Sequence, residues 1–369
     1  MRVLLLLILI VHGLIHLMGF AKAFQYADLA ALTQPISRAA GLVWLLCAAA
    51  FVVAGGLFIF ERPAWWWVAA PALVLSQAVI LQSWKDAKFG TVANLIILVP
   101  LVAAALEARP TSYANRYRSA ARQAVARSTE GPLVTESDLE PLPLPVQQYL
   151  RYVGAVGRPR VRSFRAVFSG EFRNGIDSRW MRFRSEQYNG YDPPSRVFLM
   201  KAGLFGVPME GLHLFGADGA SMQIKVASLV QVVDARGPKM DQGETVTLFN
   251  DLCLLAPAAL VDRQRIQWQD AGPLAARARF THRGITIGAE LTFNPRGELV
   301  GFVSNDRFLS SDGKTYTSYP WSTPLRDYRE IDGRRVPTYG EAVWLMPQGA
   351  FTYGRFNLER IEYDVKDLR

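Results

Sequence analysis

The chain has 369 residues, half of them hydrophobic, with 41 basic and 32 acidic side chains and a formal net charge of +9. This length exceeds that of a typical single domain and predicts at least two parts. Six of the basic residues precede Glu107, and the remaining excess of positive charge is spread thinly, so the composition excludes a nucleic-acid-binding surface. Cys47 and Cys253 fall in different parts of the chain and predict no disulfide framework.

Four stretches without charged side chains fill the N-terminal part of the chain. A helix rises about 1.5 Å per residue and the hydrocarbon core of a bilayer is about 30 Å thick, so each stretch can cross a membrane. The stretches are residues 3–21, 39–60, 63–84 and 89–106. The pieces 61–62 and 85–88 are short enough to be hairpin turns. We predict a four-helix transmembrane domain over residues 1–106.

The lysines and arginines beside these stretches predict the topology. With four spans both chain ends share one side, and the side richer in basic residues faces the cytoplasm. The shared side has Arg2, Arg62, Arg109, Arg116, Arg118, Arg122 and Arg127, and the other has Lys22, Arg38, Lys85 and Lys88. This favours a multi-pass protein of the bacterial inner membrane with a cytoplasmic C-terminal part. The small-x-small site at residues 21–23 also resembles a signal-peptide cleavage site, but His12 and His16 interrupt the apolar run and favour a retained helix.

The predicted spans contain a few polar side chains. His12 and His16 are four residues apart and share one helix face. They could form a metal, quinone or proton site, but interhelical hydrogen bonds to Asn94, Gln77 or Gln82 are the favoured interpretation. No acidic residue lies within a span, and we expect neither a metal nor another cofactor.

Residues 107–140 form a predicted linker, first basic and then rich in proline and acidic residues. Its segment 113–126 is rich in Ala and Arg. That segment could be a helix on the membrane surface, where basic residues suit anionic head groups, or simply the positive flank of the last span. Residues 133–145 mark a domain boundary.

The soluble domain, residues 141–369, begins with a helix over 145–153 and then changes to a period of two. Apolar residues alternate with polar ones in two early runs and most clearly over residues 285–293. A turn at 294–297 leads from there into 299–304 as a hairpin. The early runs place on one face Phe164, Ala166, Phe168 and Phe172, and then Met222, Ile224, Val226, Val230 and Val232. Further strands are predicted at residues 180–188, 197–204, 275–282, 336–345 and 351–365. About ten strands without βαβ alternation predict an α+β domain with one large, curved antiparallel sheet.

One helix interrupts these strands. Asp241 and Glu244 are spaced like a capping box, and Pro257 ends the helix. The helix has a wide apolar surface, which predicts that it covers the concave side of the sheet. Asn250 and Asp251 near its middle could contact a ligand, although a hydrogen-bonded or solvated edge is the favoured interpretation.

Two motifs resemble the lipoprotein-carrier-like fold, LFNDLCLLAPAALV at residues 248–261 and DYREIDGRRVPT at 327–338. The resemblance implies a half-open barrel around a helical lid that holds acyl chains. The whole chain resembles an uncharacterised bacterial membrane-protein family, with the blocks HGLIHLMGF, DAKFGTVANL, PVQQYLRYVGAVG and YPWSTP. That likeness implies no known activity. Lipoprotein carriers work outside the inner membrane, whereas the arginine count favours a cytoplasmic domain here.

No sequence signature of catalysis is present: there is no nucleophile elbow, P-loop, dinucleotide fingerprint or zinc-protease motif. Glu186, Asp306 and Glu341 could form a carboxylate pair, but we name no catalytic residue. Arg307 is expected to pair with Asp306.

The favoured hypothesis is a membrane-tethered module for a lipid or another apolar ligand, with the bilayer as its other partner. The cavity lining is predicted to be Phe164, Phe168, Met222, Ile224, Phe249, Leu252, Ile287 and Leu291. The same residues would be plain core if the sheet closed fully on the helix. The alternatives are an enzyme for a lipid-like substrate, favoured if acidic or histidine side chains converge in the cavity, and a structural or sensory protein that binds another protein.

Overall fold

A computed structural model describes residues 2–125, 131–204, 207–310 and 312–366 of the protein. The chain divides into two compact units, Met1–Arg109 and Pro110–Arg369. Ala126, at the end of the predicted connector helix, and Arg127, in the charge count, lie outside the described residues.

The described part of the first unit consists of helices joined by turns and loops. Its helices are α1 (Arg2–Ala23), α2 (Arg38–Ile59), α3 (Trp65–Gln82), α4 (Trp84–Ala87) and α5 (Gly90–Glu107). All but α4 are long and apolar enough to cross a membrane, and each coincides with a predicted span to within a few residues. The predicted hairpin turn at 85–88 is largely the short helix α4, whose Asp86 accepts hydrogen bonds from the backbone nitrogens of Thr33 (2.6 Å) and Gln34 (2.8 Å).

Three helices precede the sheet of the second unit: α6 (Tyr113–Val125), α7 (Glu136–Leu139) and α8 (Leu144–Tyr152). The helix predicted at 145–153 is therefore confirmed, one residue earlier. On α6, Tyr113 and Tyr117 are almost fully buried against apolar side chains of the sheet, namely Val197, Leu199 and Leu212. The connector helix thus packs on protein, which neither interpretation of the sequence anticipated.

The described residues of the second unit form an antiparallel sheet of 14 strands. The strands are β1 (Ser163–Phe172), β2 (Met181–Tyr191), β3 (Pro194–Leu204), β4 (Val207–Gly216), β5 (Gly219–Val226), β6 (Val230–Arg236), β7 (Ile266–Asp270), β8 (Ala275–His282), β9 (Ile285–Phe293), β10 (Leu299–Ser304), β13 (Trp321–Ser322), β14 (Leu325–Ile331), β15 (Arg334–Met346) and β16 (Gly349–Tyr363), with β11 (Phe308–Leu309) and β12 (Thr317–Ser318) as a separate ribbon. Thirteen strands follow the order β6-β5-β4-β3-β2-β1-β16-β15-β13-β10-β9-β8-β7, and β14 pairs with β15. The predicted antiparallel sheet is confirmed.

This sheet curls around one long helix, α9 (Pro238–Leu255), which a 3-10 turn follows at Pro257–Val261. The helix contacts β5 and β6 near one end of the strand order and β9 and β10 near the other, so the sheet bends around it as a half-barrel. Arg283, in the β8–β9 turn, donates to the carbonyls of Gly216 and Ala217 in the β4–β5 turn, which links the two ends of the curl.

The predicted capping box of α9 is wrong. The helix begins at Pro238, three residues before Asp241, and follows Gly237 with φ 94°. The carboxylate of Asp241 instead accepts from the backbone nitrogen of Ala220 on β5 (2.6 Å), and Glu244 is buried in an ion-pair cluster. Tertiary partners have displaced the local capping interactions.

The predicted inward face of residues 222–232 is only half right. Ala227 and Ser228 both have positive φ, near 55°, and form a tight hairpin turn that separates β5 from β6. Val230 pairs with Val226 directly across this turn, but farther along β6 a β-bulge at Val232 shifts the register, so that Val233 pairs with Ile224. Val230 and Val232 are therefore exposed while Val233 and Ala235 are buried. A period of two read along the chain does not reveal the position of a bulge.

Candidate functional site

A cavity of about 400 Å³ lies between α9 and the concave face of the sheet, and we call it the α9 cavity. Its position follows from the alternation of side chains along each strand, which directs every second residue toward the helix. Most of its wall is aromatic or aliphatic. The apolar and aromatic lining consists of Phe168, Phe172, Phe198, Met200, Met222, Ile224, Val233, Ala235, Met240, Leu254, Leu255, Phe308, Leu309, Tyr316, Trp321, Leu325, Pro337, Tyr339, Ala342, Trp344, Phe351, Tyr353 and Phe356.

The structure divides the eight predicted lining residues into two groups. Phe168, Met222 and Ile224 line the cavity. The other five, which are fully or almost fully buried, lie in the packed core: Phe164, Phe249, Leu252, Ile287 and Leu291. For Phe249, Leu252, Ile287 and Leu291 the reason is that α9 lies directly on β9 and β10, so that the space is open beside the helix rather than beneath it.

Much of the aromatic wall was not predicted. Trp344, Phe351, Tyr353 and Phe356 come from the hairpin of β15 and β16, and Trp321 comes from β13. The period-two pattern of residues 336–345 and 351–365 predicted strands there but not which face is inward. The signal that could have drawn attention to this wall is the concentration of aromatic residues in the last quarter of the chain.

A buried ionic cluster forms one polar patch of the cavity wall. The guanidinium of Arg196, on β3, lies 2.8 Å from an oxygen of Asp251 and 3.2 Å from an oxygen of Glu244, both on α9. Asp251 also accepts hydrogen bonds from Asn189 (2.9 Å) and Gln187 (3.2 Å) on β2. Asp251 is thus hydrogen-bonded, as the favoured interpretation expected, but its partners are buried side chains of the sheet.

His213 extends this cluster along β4. Its Nδ1 lies 3.1 Å from the second carboxylate oxygen of Glu244. Burial alone would raise the pKa of Glu244, but the charge of Arg196 and the hydrogen bond to His213 outweigh it and lower the pKa to about 2. Asn250, which precedes Asp251 on α9, donates to the hydroxyl of Thr323 (2.8 Å). Glu244 is therefore an ionised, fully paired group at neutral pH.

Arg307 lines the cavity between β10 and β11, and the expected pair with Asp306 is wrong. Asp306 instead accepts from the backbone nitrogen of Gly288 (2.6 Å). The centre of the Arg307 guanidinium lies 4.2 Å from the ring centroid of Trp321, and its Nη1 donates to the hydroxyl of Tyr353 (3.3 Å). Its neighbours are therefore aromatic.

The three carboxylates considered for catalysis do not converge. Glu186 faces away from the cavity and pairs with Arg165 (2.8 Å), Asp306 binds backbone, and Glu341 alone lines the cavity. Within the described ranges, no group of three or more His, Cys, Asp or Glu side chains could hold a metal ion.

The polar residues predicted within the spans form a separate buried cluster in the first unit. The Nε2 of His12 lies 2.9 Å from the side-chain oxygen of Asn94 and 3.2 Å from the hydroxyl of Ser76, and the Nε2 of His16 lies 3.0 Å from the same hydroxyl. Asn94 in turn donates to Gln77 (3.0 Å). These bonds join α1, α3 and α5, as interhelical hydrogen bonding would require.

Solved structures of low sequence identity resemble the chain. A LolA superfamily protein from Nitrosomonas europaea is 11% identical, with a TM-score of 0.34, over 61% of this chain and 94% of that one. A DUF1329 family protein from Desulfovibrio piger is 12% identical, with a TM-score of 0.31, over 60% of this chain and 92% of that one. The name of the first of these structures agrees with the lipoprotein-carrier resemblance of the two C-terminal motifs.

None of the curated proteins matches the chain. A family model, described as a family of unknown function (DUF6544), matches residues 132–356. The match covers most of the half-barrel, including α8, α9 and the wall of the α9 cavity. The chain therefore belongs to the DUF6544 family, whose function is unknown.

Proposed function

We propose that this protein is a membrane-tethered module that binds a lipid or another apolar ligand in the α9 cavity. The observation that carries the proposal is the mainly apolar cavity of about 400 Å³ beside a helix that is otherwise tightly packed. Protein cores leave few voids larger than a water molecule, and ligand sites typically measure about 300–1,000 Å³. A cavity of this size and lining is suited to an apolar ligand.

The tether is the set of four apolar helices in the first unit, which we propose to span the bacterial inner membrane with both ends in the cytoplasm. The charge count supports this side. A reporter enzyme that is active only outside the cytoplasm, fused after the last residue, should be silent. Strong reporter activity would place the cavity on the opposite side of the membrane.

The ligand can be sought by native mass spectrometry of the full chain purified in detergent. We expect co-purified lipid, and we expect Ile224→Gln to reduce it, because an amide in the cavity wall would lose its hydrogen bonds to water when an apolar ligand binds. The matched control is Val232→Gln on the neighbouring strand β6, where the side chain is exposed and the retained lipid should not change. A wild-type protein that retains no lipid would contradict the proposal.

An enzyme that acts on a lipid-like substrate is the second candidate. One observation favours it: His213 and Glu244 form a hydrogen-bonded pair at the cavity wall, as general bases often do. Against it, both oxygens of Glu244 are engaged by Arg196 and His213. Hydrolysis of an added lysophospholipid by the wild type, abolished in His213→Gln, would favour the enzyme.

A protein-binding module is the remaining alternative. Its expected mark is an apolar patch on the outer face of the sheet. Part of that face, around Val197 and Leu212, is covered by α6 of the chain itself. The exposed apolar side chains left at the β5–β6 hairpin are few, chiefly Leu229, Val230 and Val232.

A further inference from the structure

The charge of Arg307 is not matched by a bound carboxylate. Across the described parts of the chain, no acidic oxygen lies within ion-pairing distance of its guanidinium, whereas Arg196 on the same wall contacts both Glu244 and Asp251. Arg307 acts on Glu244 only from a distance, where it helps to keep that pKa low, and both oxygens of Glu244 are already bound by Arg196 and His213. The charge of Arg307 therefore remains available to a partner inside the cavity.

Aromatic contacts and the backbone of α9 hold Arg307 in place. Its guanidinium carbon lies 4.2 Å from the ring centroid of Trp321 and 5.9 Å from that of Trp344. A Cβ atom added to Gly243 of α9 would lie 3.7 Å from Cγ of Arg307, so the stem of the side chain runs close to the helix. A guanidinium held in this way loses little further freedom when it binds a partner.

Most of the N–H groups of the Arg307 guanidinium have no acceptor among the described residues. A guanidinium has five N–H donors, and the one hydrogen bond that Arg307 makes to protein is to the hydroxyl of Tyr353 (3.3 Å) within the described ranges. That hydroxyl also accepts from Nε1 of Trp321 (3.0 Å), so its own hydrogen is directed elsewhere. Arg307 and Tyr353 together form a cluster of donors that an anion would satisfy.

We propose that Arg307 and Tyr353 bind the anionic group, a carboxylate or a phosphate, of a single-chain amphiphile whose apolar chain occupies the α9 cavity. This rests on the proposed function and names the class of its ligand. The planar guanidinium matches both anions with two parallel hydrogen bonds, and because Arg307 is partly buried these bonds are screened less than at an open surface. A neutral ligand would displace water from the Arg307 guanidinium without providing a negative charge in its place. The cluster therefore disfavours binding of a neutral ligand.

The test uses the full chain in phosphatidylcholine nanodiscs and three radiolabelled probes with the same chain: dodecanoate, dodecyl phosphate and dodecanol. Retention is measured after gel filtration, with empty nanodiscs as the blank. Hydrogen bonds to charged groups predict that at least one anionic probe is retained about tenfold to a hundredfold more tightly than dodecanol. The better of the two anionic probes identifies the head group as carboxylate or phosphate.

Two variants assign this preference to the cluster. Arg307→Gln should reduce the preference for the anionic probe to near unity without lowering dodecanol retention. Tyr353→Phe, which keeps the ring, should reduce the preference in part. The control Arg279→Gln, at an exposed position of β8, makes the same change in net charge and should have no effect.

Three outcomes would overturn the inference. Equal retention of all probes by the wild type would leave the proposed function standing and exclude an anion subsite. An anion preference that survives both Arg307→Gln and Tyr353→Phe would exclude these residues. If no probe were retained more than by empty nanodiscs, the proposed function would be contradicted as well.

Discussion

At the scale of single residues, the cluster around Arg196 dominates the electrostatics of the half-barrel interior. Its side chain and those of Glu244 and Asp251 are almost entirely buried, so the charges are screened little by water. The cluster ties β3 to two turns of α9. Its members depend on one another, because removing one leaves the others charged and unpaired.

We predict that Arg196→Met destabilises the protein by about 3–5 kcal/mol, the usual cost of removing one partner from a buried ion pair. The matched control is Arg182→Met on β2, where the arginine is 93% exposed and lies 3.9 Å from Glu171. This change should cost about 0–1 kcal/mol. Urea unfolding of both variants, followed by tryptophan fluorescence, provides the comparison, and equal losses would contradict the importance of the buried cluster.

Glu244 predicts how stability depends on pH. Its folded pKa, about 2, is lower than its ordinary value of 4.5, so the folded state favours the ionised form. The resulting stabilisation is fully present above pH 4.5 and is lost as the pH falls toward 2. Glu244→Gln should therefore be less stable at neutral pH and lose less stability on acidification. Melting curves at several pH values between 2 and 7 measure this difference, and Glu290→Gln, at an exposed ion pair, is the control. If the wild type and Glu244→Gln lost stability equally on acidification, the prediction would be refuted.

At the scale of elements, α9 has two different sides. One is packed on β8 to β10, where the ring of Phe249 stacks on that of Phe280 with centroids 4.9 Å apart. The other faces the α9 cavity through Leu254 and Thr247. The helix therefore contributes both to the core and to the cavity wall.

This division predicts opposite results for two phenylalanines. Phe249→Ala removes a fully buried ring and should cost about 3–5 kcal/mol. Phe168→Ala removes a half-buried ring from the cavity wall and should cost less, about 1–2 kcal/mol, while lipid retention falls. Thermal stability and lipid content of the same preparations test this. A large stability loss in both variants, with no lipid in the wild type, would leave the cavity without a binding role.

At the scale of the whole molecule, the second unit includes more of the connector than composition indicates. Helix α6 buries Tyr113 and Tyr117 on the outer face of the sheet, and Arg116 donates to Gln223 of β5 (2.5 Å). The amphipathic character that suits a membrane surface serves equally well for packing on a sheet. We therefore propose that the half-barrel domain begins at residue 110 rather than at 141.

This boundary predicts that a fragment of residues 110–369 is more stable than one of residues 131–369, by about 2–5 kcal/mol, because the shorter fragment exposes the apolar patch under α6. Both fragments should unfold cooperatively with a mainly β-sheet circular dichroism spectrum. The double variant Tyr113→Ala and Tyr117→Ala in the longer fragment should be close to the shorter fragment in stability. Identical stability of the two fragments would show that α6 does not stabilise the sheet.

The amino-acid sequence by itself determined the features that depend on local pattern. The lengths of the four apolar runs predicted α1, α2, α3 and α5 because crossing a bilayer is a matter of length and hydrophobicity. A period of two predicted the antiparallel strands, and Asp332 and Gly333, both with positive φ, form the tight turn expected between β14 and β15. The family resemblance likewise rested on short blocks of local sequence.

Tertiary structure alone decided which side chains line the α9 cavity. Phe164 and Phe168 lie on the same strand with the same local pattern, yet Phe168 lines the cavity and Phe164 is core. Their neighbours in space differ, because Phe164 lies beside Tyr191 and Phe168 beside Phe356. Arg307 has an acidic neighbour in sequence but aromatic neighbours in space. Strands far apart in the chain bring Trp321 and Tyr353 to this arginine, and no local pattern contains a contact of that range.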